Sequence, residues 1–258
     1  MKQLPFEYAV RNLGRSPMRL VLSVGGSGLV VLLVLAAAGF SKGMQKAMVV
    51  SGSSDVVMLI GSGSEESIER SEIPMRAAGI VAASVHGLLS HAGVEAVSPE
   101  IHLAMPIATP NDAEGRLAVI RGITDAAWLV HQDARVIVGR GPESGRSELT
   151  AGRLAARSLG YDPPESILGV VFQLDDQPYE VVGIMSADGG VIEGELWTSI
   201  TDLQITSQRD SLSCVILRMD SAQLADLEAF AATRLDLELA AVSETAYYAQ
   251  LGAFYRPI

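Results

Sequence analysis

The sequence predicts an α+β protein with one N-terminal transmembrane helix. An extracytoplasmic domain follows, in which a split βαβ lobe carries an inserted β-rich lobe. Three observations carry that expectation. One uncharged run, Leu20 to Ser41, lies between Arg19 and Lys42. A strand–helix–strand pattern occurs twice, once after that run and once near the C-terminus. Between the two lies a series of short strand-like runs broken by turn residues.

The uncharged run comes first. At 1.5 Å per residue a helix over residues 20–41 is about 33 Å long, enough to cross a hydrocarbon core of about 30 Å. A secretory signal has an apolar core of only about 7 to 15 residues. Ala36–Ala38 resembles a cleavage site, yet the stretch before Arg19 is too long for a signal's leading region. A buried helix of a soluble protein would rarely run so far without a polar face. A retained span is therefore expected. Within it Gly25, Gly26 and Gly28, with Ser23 and Ser27, make a small-residue patch of the kind that lets membrane helices approach closely. They are the candidate contacts to a partner helix, although their spacing is not GxxxG. Helix continuing through Met44, Gln45 and Met48 would form a stalk.

Charge orients the span. The chain has 258 residues and a formal net charge of −11, unevenly spread. Residues 1–46 hold six basic residues against Glu7 alone, and no lysine follows Lys46. Lys2, Arg11, Arg15 and Arg19 precede the span, which keeps the N-terminus in the cytoplasm and places the larger part outside. Lys42 and Lys46 argue weakly the other way. Arg11, Arg15 and Arg19 are the candidate cytoplasmic interface. The acidic outer part lacks the cationic footprint that nucleic acid requires. Cys214 is the only cysteine, so no intrachain disulfide forms, and its neighbours make it a small hydrophobe on a strand.

In chain order, residues 1–19 form a cytoplasmic segment whose stretch 5–15 is an amphipathic helix at the lipid interface, with Phe6, Ala9, Val10 and Leu13 on one face. The first lobe takes 42–108 and 211–245. It begins with a buried strand over 55–60, a Gly/Ser loop, a helix over 75–91 and an extended segment over 94–108. Residues 109–210 are the inserted lobe. Strands are expected at 118–123, 134–139, 168–174, 179–185 and 195–200, with a helix over 149–159 ended by Gly160. Asp175-Asp176-Gln177-Pro178 reads as a hairpin turn. A strand over 212–219, a helix over 222–234 capped by Asp220 or Ser221, and a strand over 237–242 complete the first lobe. Residues 246–258 return to the membrane surface, with Tyr247, Tyr248, Phe254 and Tyr255 read equally as an aromatic belt or as the ordinary packing of a terminal helix.

No catalytic, metal or cofactor set emerges. His86 and His91 fall on different faces of the expected helix, and His102 and His131 lie in other elements. HExxH, CxxC and GxSxG are absent. Asp188, Glu193 and Glu195 read as a solvated acidic face without EF-hand spacing.

The layout resembles the N-terminal half of MacB-like, FtsX-superfamily ABC-transporter permeases. The stretches that carry the resemblance are AVRNLGRSPMRLVLSVGG (9–26), VIRGI (119–123), AGRLAARSLG (151–160), YEVVGIMSADGGVIEGELWTSITDLQ (179–204) and AYYAQLGAFYRPI (246–258). The resemblance implies a porter-like split βαβ lobe with a β-rich second lobe. It also implies a cytoplasmic ABC ATPase as partner, a homodimer or a complex with further transmembrane permease segments, and contact with membrane lipid. Such permeases transmit ATP-driven movement to the outer domain. They carry three further spans after that domain, whereas this sequence ends at Ile258. A fragment, a pairing with a second polypeptide, or a single-pass relative would each account for that. A membrane-anchored binding or scaffold protein acting without ATP is the alternative reading.

Overall fold

The computed structural model describes residues 17–109 and 112–253. The interfacial helix expected over 5–15 lies outside them. Helix α1 (Pro17–Ser51) contains the whole uncharged run and continues ten residues past Ser41, as the stalk reading requires. It is long and apolar enough to cross a membrane, and its most apolar window is not buried by the chain. The chain divides into two compact units, one reaching Lys46 and one covering Ala47–Phe254.

The second unit begins with β1 (Val56–Gly61), β2 (Ile73–Pro74), α2 (Ala77–Ser84), β3 (Ser90–His91), β4 (Val94–Glu95) and β5 (Val97–Thr109). Next come β6 (Asp112–Ile123), α3 (Ala127–Val130), β7 (Arg135–Gly139), β8 (Glu148–Gly152) and α4 (Arg153–Ser158). Then follow β9 (Val171–Leu174), β10 (Gln177–Ser186), β11 (Glu195–Ser199), α5 (Ile200–Ser207) and β12 (Ser211–Leu212). The last are β13 (Cys214–Arg218), α6 (Leu224–Thr233), β14 (Leu239–Ser243) and α7 (Glu244–Ala253).

Two interleaved βαβ units build the first half. The strand order β14-β1-β13-β5 sets β13 between β1 and β5, and β1 between β13 and β14. Each crossover helix, α2 and α6, thus skips one strand, which is the split βαβ arrangement. Every residue of β1 and of β13 is buried, in keeping with the apolar runs 56–60 and 214–217.

β5 links the halves. Its residues 97–100 pair with β13, and its residues 101–109 pair with β6. The sheet continues through β11, β8 and β10, and β9 bonds to both β10 and β5. The path β5-β6-β11-β8-β10-β9 therefore returns to β5 and closes into a small barrel, which removes most exposed edges. Register shifts at Ile107/Thr109, Val181/Gly183 and Ile184/Met185 supply the bending. Ile107, Ile120, Leu149, Phe172, Leu174, Tyr179, Val181 and Leu196 are all buried in the main core cluster.

Several local expectations change. The helix expected over 75–91 stops at Ser84, so His86 and His91 are not on a helix. Val85 is extended and Gly87 has φ +83°. The Gly87 carbonyl accepts the amides of Asp220, Ser221 and Ala222, and a Cβ there would lie 2.6 Å from Ser221 Oγ. Leu88 and Leu89 then bond to the end of β13 instead of propagating the helix. Those same three amides are no longer free to open α6. The helix starts at Leu224, with the Gln223 amide donating to Asp226. In the expected helix over 149–159, Leu149–Gly152 form the buried strand β8 and only Arg153–Ser158 are helical. Gly152 has its reason there, since a Cβ would sit 2.2 Å from Glu193 O. The hairpin turn is tighter than expected: Asp175 and Asp176 alone form it, both at positive φ, as a primed two-residue turn demands.

Candidate functional site

The residues at the end of α1 and the start of α7 are stitched together. In the last turn of α1, Ser51 Oγ donates to Ala47 O and accepts from the amide of Val191. The Ser53 amide donates to Glu244 Oε2, at the start of α7. The methyl position of an alanine at 52 would meet Thr245 Cα at 3.0 Å. Met48 is buried and faces Gly252 of α7. Residues 47–53 and α7 thus leave the domain side by side. Tyr247 and Tyr248, expected in an aromatic belt, are buried, and Tyr247 Oη accepts from the Ile68 amide. Phe254 and Tyr255 lie outside the described residues.

Next to this junction lies a buried charge network. Alternation along β5 puts Ser98, Glu100 and His102 on one face. Cys214 stands opposite Glu100 across β13, Arg121 opposite His102 across β6, and Trp197 of β11 beside Arg121. Glu100 is 0% and Arg121 2% exposed. The Arg121 guanidinium forks onto Glu195 at 2.6 and 2.7 Å, and its Nη1 reaches Glu100 Oε2 at 2.7 Å. His131 Nε2 lies 2.8 Å from Glu100 Oε1, and His102 Nε2 lies 3.1 Å from Oε2. Ser98 Oγ donates to Oε1, and Trp197 Nε1 donates to Glu195. Arg121 also sits 5.5 Å from the Trp197 ring centroid.

Electrostatics follow from this packing. Burial pushes the Glu100 carboxyl up, but Arg121 and then His131 overcome it and hold it well below the usual carboxylate range. Burial likewise opposes ionisation of Glu195, and Arg121 outweighs it. Burial lowers Arg121, yet Glu195 and Glu100 leave it raised well above its ordinary value. Burial and Arg121 lower His102, which favours the neutral ring. Burial raises Glu244, with His131 pulling the other way.

Glu100, His102 and Cys214 offer ligand atoms within 4.8 Å of one another, a donor set that also fits a thiol nucleophile with its base. Neither reading fits. Burial raises the Cys214 thiol well above its ordinary value, so the thiolate needed for either role is disfavoured. The Glu100 oxygens are already engaged by Arg121, both histidines and Ser98, and the guanidinium supplies the positive charge. The arrangement is a crosslink that ties β5, β6, β11 and the end of α3 together.

The sequence reading missed this network, and the expected acidic face is corrected by it. Glu195 is the buried partner of Arg121, and Glu193 is buried, accepting from Ser186 Oγ and the Ala187 amide. Only Asp188 of the three is exposed. The signal was present as single charges inside apolar strands, Arg121 in AVIRGI and Glu100 in VSPEIHL. Of the expected site residues, Gly25, Gly26 and Gly28 all lie on α1, where an added Cβ at each meets nothing within 4 Å. Gly25 and Gly28 share a face at a three-residue spacing, with Gly26 turned about 100° away. Arg19 is exposed in the first turn of α1, while Arg11 and Arg15 lie outside the described residues.

A family model described as the MacB-like periplasmic core domain matches residues 20–234. The chain belongs to that family. Its fold is similar to the periplasmic region of MacB from Actinobacillus actinomycetemcomitans, with TM-score 0.58, 11% identity, and coverage of 78% of this chain and 94% of that one. It is also similar to the extracellular domain of the noncanonic ABC-type transporter YknZ from Gram-positive bacteria, with TM-score 0.54, 17% identity, and coverage of 72% and 97%. No curated protein matches the chain in sequence. An apolar helix followed by a periplasmic-type domain fits a protein of the inner membrane.

Proposed function

We propose that this chain is a permease subunit, or half-subunit, of an ABC transporter of the MacB/FtsX type. A separate cytoplasmic ATPase drives it, and the periplasmic core domain moves in response. The N-terminus is cytoplasmic, with Arg11, Arg15 and Arg19 at the inner face and residues 20–41 in the bilayer. The domain from residue 42 onward is outside, built from 42–108 with 211–245 and the inserted 109–210. Residues 246–258 lead back to the membrane. Gly25, Gly26 and Gly28 meet a second copy or further permease spans.

One observation supports this reading above others. The end of α1 and the start of α7 are bonded to each other through Ser53 and Glu244. A displacement arriving through the membrane segments would therefore enter the domain as one push rather than two. The buried network beside them bonds β5, β6 and β11 to one another and would carry it into the barrel.

Co-purification tests it. The tagged chain is expected to bring down an ATPase of the ABC class, or a polypeptide with further spans. Recovery of neither under mild solubilisation refutes the reading. It would favour a membrane-anchored binding or scaffold protein, whose behaviour would not change when the ATPase is deleted.

A further inference from the structure

The main sheet ends at β14 on one side and at β7 on the other, and the two edges differ. β7 starts at Arg135, is followed by Arg140, and a register shift against β10 leaves Ile137 unpaired. Charges and bulges of this kind keep an edge from pairing with another strand. β14 has no charge, no proline and no register shift against β1. Its free backbone groups follow from parity. The Ser62 amide donates to Glu238 O, so opposed residues exchange hydrogen bonds there and, by alternation, between Ile60 and Ala240 and between Met58 and Val242. The amides and carbonyls of Leu239, Ala241 and Ser243 therefore point away from β1. Among the described residues no loop or side chain bonds to them. Ala240, Ala241, Val242 and Ser243 are all half-buried, whereas exposure of one face would alternate, so water reaches the strand along its flank.

We propose that the outer edge of β14 takes up an extended segment of a partner polypeptide as an added strand, apolar along its length and basic at one end. An unpaired edge is matched by another strand, which offers an acceptor or a donor to each outward group. β14 reads LAAVS, so the cross-strand neighbours that pack on it are apolar. The basic end is set by a recess of about 310 Å³ at the start of β14, lined by Glu72, Ile73, Asp236, Leu237 and Glu238. Arg234 already holds Asp236, with both bonds at 2.8 Å. Glu72 and Glu238 are exposed and form no ion pair among the described residues. A second copy of the chain does not match this edge. Antiparallel self-pairing centred on Ala241 sets Glu238 against Glu244 of the second copy, and like charges directly opposite repel. It also turns the Ser53–Glu244 ends of the two copies to opposite sides, which two chains held in one bilayer cannot do. The docking goes beyond the permease reading and requires no ATPase.

The full chain in a neutral detergent is titrated with a fluorescein-labelled peptide of alternating valine and threonine, with a pair of lysines at one end or at the other. A saturable rise in anisotropy, with a dissociation constant below about 1 mM, is expected for one of the two, because the recess fixes the strand direction. Replacing the lysines by glutamates is expected to weaken binding roughly fivefold. Ala241→Pro removes an outward donor and no bond to β1. It should weaken binding by at least roughly fivefold while the unfolding midpoint stays within roughly 3 °C of the parent. Ala240→Pro, which deletes a bond to β1, should lower that midpoint clearly further. Methylating alternate amides of the peptide leaves the protein untouched and should abolish binding. No saturable binding of either lysine-tipped peptide overturns the proposal, as does equal binding of the methylated one. A stable dimer of the chain that Ala241→Pro dissociates also overturns it, by assigning the edge to a second copy.

Discussion

Arg121→Met is the sharpest probe of the network. The guanidinium neutralises two carboxylates that cannot reach water, Glu100 at 0% and Glu195 at 4% exposure. Removing one member of such a pair typically costs about 3–5 kcal/mol, because the charge left behind is buried and unpaired. For a domain of this size a kcal/mol moves the midpoint by roughly 2–4 °C, so a fall of roughly 10 °C is expected. The pH dependence should also reverse. In the native protein Glu100 and Glu195 titrate below their unfolded value of about 4.3, so their stabilisation is present above that pH and is lost on acidification. Without Arg121, burial is the leading influence and lifts both carboxyls above the unfolded value. Their contribution is then fully present below about pH 4.3 and is lost as pH rises. Thermal unfolding of the full chain at pH 4.5 and pH 7.5 reads both effects. Arg121→Met with Glu195→Leu removes charge on both sides and should recover much of the loss. A midpoint drop under about 3 °C, or a deficit that is the same at both pH values, would refute the electrostatic account.

Three further outcomes follow from the packing. Glu244→Gln keeps an acceptor for the Ser53 amide but removes a carboxyl that burial raises, so it should stabilise the chain at pH 8 and do nothing at pH 4, read by thermal unfolding. Cys214 should resist alkylation by a small maleimide in the folded chain and react only on unfolding, and labelling at the native rate of a free thiol contradicts its burial. Gly152→Ala should destabilise by roughly 3 kcal/mol, since its methyl has no room beside Glu193 O, and a denaturant midpoint equal to that of the parent would show that β8 sits elsewhere.

The elements that sequence reading placed well are those where local pattern and burial agree. The 20–41 run, the wholly buried β1 and the Asp175-Asp176 turn needed no tertiary information. Where it failed, a long-range contact outweighed a local one. Leu149 to Leu159 alternates too weakly to betray a strand, and only insertion of β8 between β10 and β11 turns Leu149–Gly152 extended. Leu88 and Leu89 read as helical until Gly87 accepts three amides from residues 220–222. Helix α5 escapes the sequence reading because it starts at Ile200, the last residue of the run 195–200 that reads as a strand. The charge network was hidden for a different reason. Its members come from β5, β6, β11 and α3, up to 95 positions apart from Glu100 to Glu195, and no spacing rule joins them.

That dispersal bears on why ions occupy this place at all. An apolar joint of similar volume would often be as stable or more so. An apolar joint would not fix register equally well. β5 serves two partners, β13 along one stretch and β6 along the next, and a slip of one residue would turn Glu100 and His102 onto the core face. The Arg121 fork tolerates no such slip, because Glu195 and Glu100 must both stay within hydrogen-bond reach of one guanidinium. The barrel and the split βαβ half are therefore held at one relative setting through the strand they share. Under the proposed function, a displacement arriving at the α1 and α7 ends would need such a fixed joint to reach the barrel, and a loose one would absorb it.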